Sequence, residues 1–130
     1  MSDYVPLYEG DVPSSHTTSG AVVGGNMLAV SGDGTVNVAG ANAVNWVGVA
    51  AFDAASGARV TIHRSGVQLL VASGSITAGD QVVCAASGKV STLAAVTTPT
   101  AADVTNTRAI VGIALNTVSD GGSVRVVLAR

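Results

Sequence analysis

The chain has 130 residues, 48% hydrophobic, 3% aromatic and 11% charged, with a formal net charge of -2. That length supports one compact domain without a second independent core, and the apolar content is too high and the net charge too low for general disorder. Six scattered basic residues give nucleic-acid binding by phosphate neutralisation little to work with, and no apolar run approaches the ~20 residues that span a bilayer.

Residues 1–19 differ from the rest. They hold Tyr4 and Tyr8, Pro6 and Pro13, and three acids (Asp3, Glu9, Asp11) with no base, which leaves five acids against six bases in the remainder. Proline fixes φ and restrains the residue before it, so this stretch reads as an extended arm. Two readings stay open: a frayed terminus, or an arm that docks on a partner, for instance by adding a strand to a sheet edge, with Tyr4 and Tyr8 as anchors. The start Met1-Ser2-Asp3-Tyr4 lacks the basic and apolar stretches of a secretion signal, so the chain is expected to be made and kept in a cytoplasm.

From Ala21 onward, short apolar runs alternate with glycine-containing turns. Strands are predicted over 27–31, 35–39, 43–51, 58–64, 66–72, 81–86, 89–94, 108–116 and 122–129. Gly32-Asp33-Gly34 and Ser87-Gly88 have the chemistry of hairpin turns, because Gly and Asp accept positive φ cheaply. Val60 and Ile62 face one way with Arg59, Thr61 and His63 opposite, and Val124, Val126 and Leu128 repeat that apolar row. Helix evidence is confined to one turn near Ala101-Ala102-Asp103. With few large side chains, Val, Ala and Gly must fill the core, which suits tightly packed sheets. Charge is so far below the roughly one quarter of an average domain that the composition favours an assembled protein.

The chain also repeats itself. Val47-Gly48-Val49-Ala50 and then Ser56 to Ile62 are echoed by Val111-Gly112-Ile113-Ala114 and then Asp120 to Val126, at an offset of 64. Gly25 to Val30 with Gly34-Thr35-Val36 match Gly79 to Cys84 with Gly88-Lys89-Val90, at an offset of 54. The ten-residue difference falls in the Thr- and Ala-rich stretch around Thr97 to Thr107. The predicted fold is therefore all-β, a small barrel or sandwich with internal duplication and an extended N-terminal arm (1–19). The single β domain (20–130) would divide into halves at about 20–72 and 73–130.

Chemistry-bearing constellations are scarce. His16 and His63 lie in no metal-ligand spacing with Cys84 or a carboxylate, so no metal site is expected; His16 reads as solvated in a Ser/Thr-rich linker. Gly20 to Gly25 lacks the Lys-Ser/Thr ending and following helix of a phosphate cradle. Asp33 and Asp80 occupy turns, where Asp accepts local backbone hydrogen bonds, and no Gly-x-Ser-x-Gly elbow is present. Neither an enzyme nor a cofactor is expected. Cys84, alone, cannot form an internal disulfide and reads as a small buried hydrophobe. Trp46 and Phe52 flank the first copy of the repeated strand; Trp46 is read as filling the widest part of the core, with a subunit interface formed by Trp46 and Phe52 as the sharper alternative.

Taken together, the arm, Ser19-Gly20, Val47-Gly48-Val49-Ala50 with Asp53 and Gly57, Gly66-Val67, Ala78-Gly79-Asp80-Gln81-Val82 and Val111-Gly112-Ile113-Ala114 resemble the small capsid-stabilising, head-decoration (cement) proteins of tailed bacteriophages. The resemblance implies a largely β protein on the outer surface of the expanded phage head, made in the host bacterial cytoplasm. It further implies trimers that clamp neighbouring major capsid protein subunits through the N-terminal arm, here Tyr4, Val5, Pro6, Leu7, Tyr8 and Glu9. It carries no catalytic residues, and no nucleic-acid or membrane partner. The alternatives are a phage tail-tube or fibre β module, and a host-surface or carbohydrate-binding domain, against which the scarcity of aromatics counts.

Overall fold

The computed structural model of the chain describes residues 14–129. Among the described residues the strands are β1 (Ser14–Thr18), β2 (Met27–Gly32), β3 (Thr35–Val38), β4 (Trp46–Ala50), β5 (Arg59–His63), β6 (Val67–Val71), β7 (Gln81–Cys84), β8 (Val90–Thr92), β9 (Ile110–Ala114) and β10 (Ser123–Leu128), with one short α-helix, α1 (Ala101–Asn106), and two single turns of 3-10 helix (Ala86–Gly88 and Thr107–Ala109). The fold is all-β, as the sequence predicts. The helix falls where one turn was expected, and its start is a capping box in which Thr100 and Asp103 satisfy each other's backbone N–H groups.

Strands β1-β3-β2-β4-β5 close into a barrel, and β6-β10-β9-β7-β8 form a second five-stranded sheet. The two orders are the same once each strand is matched to its repeat: β1 to β6, β2 to β7, β3 to β8, β4 to β9 and β5 to β10. Register follows as well. Met27 pairs with Val49, Leu28 with Gly48 and Ala29 with Trp46, leaving Val47 as a bulge; Gln81 pairs with Ile113, Val82 with Gly112 and Val83 with Ile110, leaving Val111. The isolated bridge Val22–Ala54 recurs as Ile76–Val118.

The repeated glycines have a steric reason. A Cβ on Gly48 would collide with the carbonyl oxygen of His63, and one on its counterpart Gly112 with the carbonyl oxygen of Val127. At both places the neighbouring strand passes too close to the bulge for a side chain.

The halves differ in how they close. In the first, β1 pairs antiparallel with β5 and parallel with β3, through Thr17–Thr35 and Thr18–Val36. In the second, the equivalent parallel contact shrinks to one bridge, Ala72–Val90, supported by the Ser73 N–H donating to the Val90 carbonyl at 2.7 Å. The interiors follow suit. Val22, Leu28, Val36, Ala50, Val60 and Ile62 form a separate core inside the barrel. Their counterparts Ile76, Val82, Val90, Ala114, Val124 and Val126 share one buried cluster with Met27, Ala29, Trp46 and Val49. Alternation along β2 and β4 points these last residues away from the barrel interior, so the first half's outer face completes the second half's core. A hairpin turn ties the halves together. Gly88 donates its N–H to the Ala39 carbonyl at 3.2 Å, and Asn42 donates to the Cys84 carbonyl at 2.8 Å; a Cβ on Gly88 would lie 2.8 Å from the Asn26 Cβ.

Residues 14–18, counted with the arm in the sequence, form β1, and β6 lies in the second sheet. The ten extra residues of the second half lie between β8 and β9 and contain α1.

Candidate functional site

The proposed arm residues Tyr4, Val5, Pro6, Leu7, Tyr8 and Glu9 lie outside the described residues. Trp46 is 2% exposed and packs in the larger core cluster. Phe52, after β4, is 49% exposed. It stands at a corner with the exposed Val23, where the backbone of Gly24 passes close to that of Phe52 and the Gly24 N–H donates to Asp53 Oδ1 at 2.8 Å.

The outer face of the second sheet is apolar. Register sets Val67 opposite Val127, Val127 opposite Ile113 and Ile113 opposite Gln81, in one row across β6, β10, β9 and β7. The next row sets Leu69 opposite Arg125, beside which the Leu115 N–H donates to the Arg125 carbonyl at 2.8 Å. Val71 lies opposite Ser123. Val67, Leu69, Val71, Leu115 and Val127 are all exposed, Leu69 by 60%. This face went unread in the sequence, although the run Leu69-Leu70-Val71-Ala72 carried the signal: a strand apolar on both faces normally has both faces covered.

On the first half the β1–β5 part of the same face is polar, while its β2–β4 part is apolar and buried. Ser15, Thr17, Arg59, Thr61 and His63 stand where the second half has Leu69, Val71, Ser123, Arg125 and Val127. Arg59 donates from Nε to Ser15 Oγ at 3.1 Å and from Nη2 to the Ser15 carbonyl at 3.0 Å. His16 is half-buried on β1 rather than in a solvated linker, with Nε2 3.1 Å from Ser14 Oγ. Burial, then the charges of Arg64 and Arg59, hold its imidazole below the usual histidine range.

A groove of about 410 Å3 separates α1 from β8, lined among others by Val83, Leu93, Asp103 and Asn106. Asp80 serves its turn, accepting from the Thr77 N–H at 3.0 Å and from Thr92 Oγ1 at 2.9 Å on the same oxygen. Cys84 is buried in the core cluster. No group of three or more His, Cys, Asp or Glu poised to hold a metal occurs among the described residues, and no helix among them is long and apolar enough to cross a membrane.

The described residues thus form a doubled β unit with an exposed strip of apolar side chains on the outer face of its second sheet. The phage cement protein family model matches residues 9–130. The chain belongs to that family and is a structural protein of the phage head. No curated protein sequence matches it. Among solved structures, it is similar to the head fiber gp8.5 N base in bacteriophage phi29, with a TM-score of 0.66 and 19% identity over 91% of this chain and 93% of that one. At that identity, the likeness is one of fold.

Proposed function

We propose that this chain binds the outer surface of the phage capsid and stabilises the expanded head by clamping neighbouring major capsid protein subunits, without catalysis, as a homotrimer. The observation that carries the reading is the family match, which runs through both halves from residue 9 to residue 130. Physical chemistry favours the role. A repeated capsid lattice lets modest contacts from each subunit of an oligomer add to strong retention. The N-terminal segment 1–13 carries Tyr4, Val5, Pro6, Leu7, Tyr8 and Glu9, apolar and proline-containing residues of the kind that dock into an edge or cleft between subunits. The protein would be made in the host cytoplasm and reside on the virion exterior.

The test is co-sedimentation with expanded heads of the full chain and of a chain lacking residues 1–13, a deletion that stops short of β1. The full chain should pellet to a saturating ratio, and the truncated chain should stay folded but bind at least tenfold more weakly. Equal binding by the two would remove the arm from the mechanism, and no pelleting of the full chain would remove the function. A second reading, the base of a fibre on the head, is favoured by the likeness to the phi29 head fiber base. Electron microscopy of heads carrying the protein separates it, since only a fibre base would sit under projecting fibres.

A further inference from the structure

We propose that Asp33, at the tip of the β2–β3 hairpin, is a site of spontaneous covalent modification, where aspartate converts to isoaspartate through a succinimide closed by the Gly34 nitrogen.

The conversion needs an aspartate followed by a residue whose amide nitrogen is open to attack, and glycine, which lacks a Cβ, shields that nitrogen least. The chain has two Asp-Gly pairs, Asp33-Gly34 and Asp120-Gly121, and no Asn-Gly pair. The two form a matched comparison. Both lie in turns, and all four residues are exposed. Gly34 has a φ of 71° and Gly121 one of 79°, and a Cβ added to either glycine would meet nothing within 4 Å. Exposure, glycine conformation and crowding therefore do not separate the sites.

Hydrogen bonding does. Asp120 Oδ1 accepts the Gly74 N–H at 2.8 Å, and the Gly121 N–H donates to the Ala72 carbonyl at 2.9 Å. These bonds hold both groups that would have to meet, the carboxyl and the nitrogen. At the other site, no hydrogen bond from the described residues reaches the Asp33 carboxylate or the Gly34 N–H. The tip is held from its base, where Gly32 pairs with Thr35. The Asp33 side chain can thus turn onto the next nitrogen without breaking a native contact, whereas the Asp120 site must open first.

In the first step the Gly34 nitrogen attacks the side-chain carboxyl carbon of protonated Asp33. The N–Cγ bond forms, the Cγ–OH bond breaks, and the hydroxyl leaves with the amide proton as water. Water then opens the succinimide. Opening at the side-chain carbonyl restores aspartate; opening at the main-chain carbonyl breaks its bond to the Gly34 nitrogen and leaves the chain running through Cγ as isoaspartate. One water is released and one consumed, with no change of oxidation state. The product adds a methylene to the backbone of the turn next to Thr35, whose pairing with Thr17 is part of the parallel contact that closes the barrel.

The experiment is peptide mapping of the full chain, aged at constant temperature in mildly acidic buffer, by mass spectrometry with electron-transfer fragmentation, which distinguishes isoaspartate from aspartate. The same chain aged in guanidinium and the variant Asp33→Glu, whose longer side chain does not close the ring, run beside it. In the native chain isoaspartate should accumulate about tenfold faster at Asp33 than at Asp120, because two hydrogen bonds hold the second site. In guanidinium the two rates should become similar, and in native Asp33→Glu the total isoaspartate per chain should fall severalfold. Conversion at Asp33 that is no faster than at Asp120 in the native chain overturns the proposal. A rate ratio that survives in guanidinium also overturns it, since the fold would then not select the site, as does an unchanged isoaspartate total in Asp33→Glu.

Discussion

The first half seals its core inside a closed barrel and covers its β1–β5 face with Ser, Thr, Arg and His; the second half shares its core with its neighbour and turns an apolar face outward. Two copies of one unit have thus divided the labour. The difference teaches that strand order and register are held by a small set of common features, namely the inward apolar row, the bulge and the glycine beside it. The outward residues were left free to diverge toward different surroundings.

Breaking the common features should have the largest effects. Val60→Asp and Val126→Asp each place a charge at an inward position that is fully buried. Either should cost several kcal/mol and abolish the cooperative thermal transition by circular dichroism; a variant that melts normally would show that the matched inward rows are not the cores of their halves.

Next comes the contrast between Trp46 and its counterpart Ile110. Trp46→Ala empties the largest side chain from the shared cluster and should cost about 3–5 kcal/mol, whereas Ile110→Ala, at a half-buried site, should cost less than half as much in denaturant titrations. Equal costs would contradict the asymmetry between the halves.

Gly48→Ala and Gly112→Ala sharpen the comparison from the other side. Both force a methyl group onto the backbone of the next strand, so each should destabilise by about 2 kcal/mol, with similar shifts in urea midpoint. A large effect at one and none at the other would break the equivalence of the bulges.

The smallest expected effect is that of pH. The folded state holds His16 below its ordinary value of 6.5, so on acidification the unfolded chain takes up the proton first. Its contribution to stability is complete above pH 6.5 and is lost as pH falls from there through the lower folded value. His16→Leu, which installs the residue found at the equivalent Leu70, should remove that acid-side slope in thermal melts; an unchanged slope would exclude His16 as its source.

Much of this architecture was legible in the sequence because the repeated segments carry both the apolar alternation and the turn glycines. The nine predicted strands correspond to β2 through β10. β1 escaped because its inward positions are Ser14, His16 and Thr18: period-2 reasoning looks for apolar residues, and here buried polar groups are satisfied by hydrogen bonds instead. Thr18 Oγ1, for example, donates to the Ala55 carbonyl at 2.7 Å. For the same reason the equivalence of β1 and β6 left no sequence echo. The burial of Trp46 followed from its size, but its place in the second half's core did not, because composition cannot tell which of two halves a side chain completes. The exposed face around Leu69 was hidden for a converse reason: an apolar run reads as buried on both faces, whereas here only Leu70 and Ala72 point inward.

If this doubled β unit decorates the outside of the phage head, cryo-electron microscopy of expanded heads incubated with the purified chain should show discrete density of this fold at repeated sites on the outer capsid surface, contacting more than one major capsid subunit. Heads that stay bare at saturating protein would contradict it.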